Sequence, residues 1–256
     1  GSRSAGTGPI TKGRSNSSAM TTTNRVTLEP CYILHSRPYR ETSLILEAFS
    51  RQHGRAGLVA RGARGAKSRW KNMLQPFRPL LLSWNQRGEM GTLTAADQVA
   101  SPPAMAGEPL FCGIYANELL TRFLQRFDPH PGLFDRYRTL VAELSAGGPP
   151  QPVLRLFEYR LLEAAGFGMQ LTQERDGGRS IRPDAWYQYV PEAGPVERQR
   201  GTEAQDGLIS GAALLALASG SIEAAHLREL KLLMRRVIRY HLGDKPLKSQ
   251  SLFYGS

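Results

Sequence analysis

The sequence predicts an α+β multidomain chain: an N-terminal OB-fold β-barrel, then a C-terminal α-helical bundle with a zinc-less irregular insertion. Three observations predict it. Five short β-like runs crowd into about 75 residues with one long break, which suits a small closed barrel. The apolar period then changes from two to about 3.6 past Ser101-Pro102-Pro103. Nearly all of the excess positive charge lies ahead of that boundary.

The β-like runs are Val26–His35, Thr42–Phe49, Arg55–Ala60, Phe77–Asn85 and Met90–Ala95, each closed by turn residues such as Ser36-Arg37-Pro38 and Gln86-Arg87-Gly88. The long break is the Gly/Arg stretch after Ala60. Consecutive prolines interrupt helices and ladders alike, so 20–100 reads as the barrel and 101–256 as the helical part. Helical spacing runs over Pro109–Phe127, Gly132–Leu144, Val153–Ala165, Gly211–Ala218 and Ser221–His241. Residues 169–207 read as polar and irregular, apart from a short apolar run at Trp186–Val190. Residues 1–19 hold no acid, precede Met20 and read as an expression-tag remnant.

Composition excludes several classes. The 256 residues are 41% hydrophobic and 21% charged, which is a globular balance. No apolar run approaches the roughly 20 residues of a membrane span, and a cytoplasmic, nucleoid-associated protein is expected. Two cysteines, Cys31 and Cys112, make neither a disulfide framework nor a tetrahedral zinc site.

The formal net charge is +11, and its location carries more than its size. Between Arg51 and Arg78 stand eight basic residues and no acid. A field of one sign attracts polyanions, nucleic acid first among them. Arg61, Arg64, Lys67, Arg69 and Lys71 alternate with Gly62 and Gly65, so backbone can approach a phosphate while cations neutralise it. In a barrel of this type that loop borders the oligonucleotide groove, as does the turn holding Arg37 and Arg40. Arg55, at the start of the third run, joins the same candidate DNA-binding set. Trp70 either stacks a base or folds into the core; Arg37 and Arg40 either contact DNA or make an ordinary charged turn.

Other signals fall away. GARGAKS lacks the glycine directly before lysine that a nucleotide phosphate loop needs, and Pro76 follows too soon for its helix. His35, His53, His130, His226 and His241 are scattered and read as structural or surface residues. No nucleophile, paired-carboxylate or metal pattern stands out, so no catalytic residue, cofactor or metal is expected. Lys231, Arg235 and Arg239 recur every four residues opposite Leu230, Leu233, Val237 and His241, which reads as a solvated helix face. Lys245–Phe253 (KPLKSQSLF) either docks back onto the bundle or meets an acidic partner.

Five stretches, taken together and in order, resemble the RecO family of bacterial recombination mediators. They are residues 32–64, 74–84 (LQPFRPLLLSW), 115–123 (YANELLTRF), 157–168 (FEYRLLEAAGFG) and KPLKSQSLF. The resemblance implies an OB-fold, a helical domain and no catalytic centre. It implies binding of single- and double-stranded DNA and annealing of complementary strands. With RecR, and in some settings RecF, such proteins help RecA displace single-strand-binding protein, whose acidic, apolar-ended tail they contact. Many members carry a four-cysteine zinc site after GFG; residues 169–207 contain no cysteine, so that site is expected to be absent.

An acidic, apolar-ended tail needs an apolar pocket with a cationic rim. Leu119, Leu120 and Phe123 beside Arg122 and Arg126 are the candidate. The expected function is therefore a non-enzymatic mediator of DNA repair; the alternative is an RNA-binding OB-fold factor of translation or ribosomes.

Overall fold

Strand β1 (Asn24–Tyr39) pairs antiparallel with β2 (Ser43–Ser50) on one side and β4 (Leu80–Arg87) on the other. Strand β2 pairs antiparallel with β3 (Gly54–Ala60), and β4 with β5 (Met90–Gln98). Parallel pairing of β3 with β5 closes the ring in the order β1-β2-β3-β5-β4. This computed structural model describes residues 24–70, 72–101, 103–199, 207–243 and 246–249.

Alternation along β1 sorts its side chains between two cores. Cys31 and Ile33 point into the barrel with Leu46, Leu58, Leu82 and Trp84. Tyr32 and Leu34 point the other way and belong, with Phe49 and Phe77, to the apolar cluster of the helices. Tyr32 meets Phe134 and Tyr137 at centroid distances of 5.5 and 5.0 Å, and Phe49 meets the same two rings. Asn117 donates to the Leu34 carbonyl at 3.0 Å and accepts from Tyr137 Oη, so the seam is tied by polar groups as well.

Helices α1 (Glu108–Phe123), α2 (Pro131–Ser145) and α3 (Pro150–Ala164) each place a proline in the first turn, where its missing N–H costs no intrahelical bond. Helix α4 (Gly211–Ser219) starts on Ser210, whose Oγ accepts from Ala213 N, and stops at Gly220 in the left-handed region. Helix α5 (Leu227–Leu242) buries Leu230, Leu233, Met234, Val237 and Ile238; of the predicted solvated face, Lys231 and Arg239 are exposed and Arg235 is half-buried. Among the described residues no helix is long and apolar enough to cross a membrane.

The expected fold class is corrected on two counts. The five strands form a mixed sheet whose β3–β5 seam spans only Gly57↔Met90 to Val59↔Thr92. Beyond it the edge of β3 is taken by chain from the helical half: Phe127 N donates to Arg55 O at 3.0 Å. What forms is thus a mixed five-stranded sheet with a short closing seam, lengthened by chain from the helical half, in place of the expected free-standing OB-fold barrel. That pairing also ends α1 at Phe123 rather than Phe127, because the chain must turn extended at Leu124 to reach β3.

The second correction concerns residues 169–207. Part of this stretch is regular: β6 (Trp186–Val190) and β7 (Gly194–Arg198) pair, and β8 (Leu208–Ser210), just beyond it, joins them in the order β7-β6-β8. Tyr187 and Tyr189 turn into the helical core from β6. The C-terminal half is therefore helices plus a small antiparallel sheet, not a helical bundle.

Candidate nucleic-acid interface

After Ala60 the chain makes successive turns instead of a strand. Gly65 N donates to Gly62 O, Ser68 N to Gly65 O and Met73 N to Trp70 O, at 3.0–3.1 Å. Gly62 has φ +69°, a backbone state glycine adopts without strain. The loop is fastened to the turn after β1 by Arg64 N donating to Thr42 O at 2.8 Å. A bridge between Ile33 and Pro76 holds its far end.

This brings two of the sequence-predicted groups onto one face. Arg61, Arg64, Lys67 and Arg69 are exposed, and none has an ion-pair partner among the described residues. Arg64 Nη1 points to Arg40 O at 3.4 Å. Arg40 itself, at φ +52°, lies 5.1 Å over the Tyr39 ring, and Arg37 is exposed on the strand opposite Ile45. Between the two segments a cleft of about 350 Å³ is lined by Ser36, Leu44, Ala63, Arg64, Trp70 and Leu74. Lys71 lies outside the described residues.

Trp70 is 7% exposed and packs in the barrel core with Leu74 and Ala63. Arg69 covers it, with its guanidinium 4.6 Å from the ring and Nη2 donating to Thr94 O at 2.7 Å. Of the two readings of Trp70, the core is the one the structure takes.

Arg55 is brought elsewhere. Its Nη1 donates to Thr121 O at 2.6 Å and its Nε stands 3.4 Å from Glu47 Oε1. Burial lowers its pKa, against the opposing pull of Glu47. Arg126 clamps the same carboxylate at 2.7 Å, and that bond raises its own pKa. Arg51 is likewise paired, with Asp135 at 3.1 Å. Sequence reading missed Glu47, although it is the one acid in an otherwise apolar strand, TSLILEAF.

The predicted tail pocket does not form as a groove. Leu119 and Leu120 are fully buried, and Phe123 packs edge-on against Phe167 at 5.9 Å. Arg126 faces the barrel, whereas Arg122 Nη2 donates to Pro246 O at 2.9 Å. The C-terminal segment docks here instead. Glu118 accepts from Lys248 N, Ser249 N and Ser249 Oγ at 2.7–2.9 Å, and Leu247 is buried.

Both cysteines are buried, and burial pushes the Cys112 thiol up to about 12, so neither is a ready nucleophile. Among the described residues no three His, Cys, Asp or Glu side chains gather to hold a metal.

Two family descriptions cover nearly all of this fold. Recombination protein O N terminal matches residues 25–102, and Recombination protein O C terminal matches residues 106–251. The chain belongs to the RecO family. The DNA repair protein RecO of Methylococcus capsulatus is 45% identical over 234 residues, covering 91% of this chain and 95% of the relative. That of Azoarcus sp. is 42% identical, covering 90% and 96%, and that of Coxiella burnetii (strain RSA 331 / Henzerling II) is 41% identical, covering 91% and 100%. RecO membership makes this a non-catalytic recombination mediator of DNA repair. The translation-factor alternative gains no support from it.

Proposed function

We propose that this RecO protein captures DNA on the face where the Arg61–Arg69 loop meets the Arg37–Arg40 turn. The observation that carries the reading is four exposed cations without an acidic partner among the described residues, fixed beside the turn by Arg64 N on Thr42 O. Unneutralised guanidinium groups bind phosphates by displacing condensed counterions. Two strands held on one cationic face repel each other less, so complementary strands anneal without any covalent chemistry. Arg55 and Trp70, committed to the fold, are left out of this surface.

RecR, RecA filaments and the tail of single-strand-binding protein are the proposed partners. For the tail, a cavity of about 220 Å³ beside α2 and α3 has the chemistry required. Val153, Leu156, Phe157 and Ile222 line it, with Arg136, Arg160 and one acid, Glu143, at its walls.

The test is fluorescence anisotropy of a labelled single strand across a salt series. Changing Arg61, Arg64, Lys67 and Arg69 together to Ala should flatten the log–log slope by about 2–3 units, at about 0.7 per lost contact. Equal slopes would move the DNA to another surface, with the exposed side of α5 next in line.

A further inference from the structure

Four rings meet where α1, α3 and α5 end. Gly166, at φ +84°, stops α3, and Phe167 N donates back to Leu162 O at 2.8 Å. The stop carries the Phe167 ring across to α5. There it stacks on His241, with centroids 4.3 Å apart and planes 28° from parallel. Phe123, the last residue of α1, meets Phe167 edge-on at 5.9 Å, and Tyr240 meets His241 edge-on at 5.1 Å. Among the described residues the run is left open: Phe167 is 37% exposed and Tyr240 55%.

Single exposed rings are ordinary, but rings in mutual contact make a patch that suits a flat ligand. The surroundings say which kind. Burial lowers the His241 pKa, against the opposing pull of Glu192, so its ring is neutral at pH 7 and stacks as an aromatic. Arg239 adjoins Tyr240, and Arg228 lies about three turns back on the same side of α5. Both are exposed, with no ion-pair partner among the described residues. Glu229, the acid of α5, is committed to Ser210 N at 2.7 Å, and Glu192 accepts from Tyr240 Oη at 3.4 Å. Open rings beside unpaired guanidinium groups match an unpaired nucleobase and its phosphate. We propose that Phe167 and Tyr240 stack unpaired bases of single-stranded DNA, with His241 bracing both rings, and that its phosphates follow the side of α5 carrying Arg228 and Arg239. This site rests on the reading of the chain as DNA-binding, though not on the barrel face. Cations attract single strands and duplexes alike, whereas a base offers its face only when unpaired. The rings therefore supply a single-strand preference that the loop cations alone do not.

The test uses the full chain and a single-stranded oligonucleotide carrying 5-iodouracil, irradiated together and digested for mass spectrometry. Adducts on Phe167 or Tyr240 are the expected result; adducts confined to other residues, or none, would overturn the site. As a second measurement, Phe167→Ala with Tyr240→Ala should weaken single-strand binding about tenfold at fixed salt. Duplex binding and the salt slope should not change, since no cation is removed. Phe167→Trp with Tyr240→Trp keeps the ring faces and should bind single strands as the parent does. An equal loss on duplex would overturn stacking, and self-association lost in the Ala variant with single-strand binding intact would give the rings to a second copy. A flattened slope in the four-cation loop variant without ring adducts defeats this site and leaves the barrel face standing. Ring adducts with equal slopes do the reverse.

Discussion

Glu47 Oε2 lies 2.7 Å from Nη2 of Arg126, which joins the middle of β2 to the chain just beyond α1. The other oxygen of Glu47 faces Arg55 on β3. One carboxylate, 13% exposed, thus separates two guanidinium groups at the place where the short β3–β5 seam leaves the edge of β3 open.

Removing that carboxylate leaves two half-buried cations facing each other. Glu47→Ala should destabilise the fold by about 2–3 kcal/mol, toward the lower end of the cost of breaking a buried pair because Arg126 keeps some access to water. Glu47→Gln should lose less, since its amide oxygen still accepts one bond. Urea unfolding provides the check, as a lowered midpoint at constant slope. An unchanged midpoint for Glu47→Ala would mean that the clamp contributes nothing to stability.

Trp70 separates stability from binding. Trp70→Ala empties a large core site and should cost about 3 kcal/mol of stability or more. Trp70→Phe keeps an apolar ring there, and DNA affinity at fixed salt should be unchanged. If the folded Phe variant instead loses about 1 kcal/mol or more of binding, the indole stacks a base and the buried geometry is not the one used on DNA.

The hold on the C-terminal segment should depend on pH through Glu118. Burial works against the charge of this carboxylate, but hydrogen bonds from Ser249 and Lys248, with the Arg122 guanidinium nearby, more than offset it and hold its pKa below 4.5. A carboxylate depressed in the folded state contributes stability that is fully present above its ordinary value and is lost as pH falls through the depressed one. The amide resonances of Lys248 and Ser249 should therefore stay constant from pH 7 down to about 4.5 and move only below that. Movement centred near neutral pH would exclude Glu118 as the controlling group. In Glu118→Gln the low-pH step should vanish.

Legibility in the sequence followed the range of the interactions. The five barrel strands were readable because alternation is local, and their limits slipped by a few residues where pairing with a neighbour extends a strand. Strand β1 continues to Tyr39 through Pro38, since β2 is opposite it as far as Ser43. Arg61, Arg64, Lys67 and Arg69 were readable because they have no acidic partner among the described residues even in the fold. Arg55 and Arg126 look the same in sequence, yet their partner, Glu47, is met only through long-range packing. Strands β7 and β8 were invisible for a similar reason: GPVER and LIS carry no periodicity of their own and are strands only because β6 lies between them. Leu119 and Phe123 were rightly seen as apolar, but spacing does not tell a core face from an open groove.

The division of apolar side chains along β1 has a thermodynamic consequence. Tyr32, Leu34 and Phe49 are barrel residues by chain position and helix-core residues by contact. A cut near residue 101 would pass through a composition boundary, yet it would bare an aromatic sheet face on one fragment and the rings of Phe134 and Tyr137 on the other. Neither half keeps its low-energy state without its counterpart, so heat or denaturant should take both down in a single cooperative event. The Arg61–Arg69 loop would then have no partially melted intermediate in which it stays folded alone. Its persistence is set by the stability of the entire chain rather than by that of the strands from which it projects.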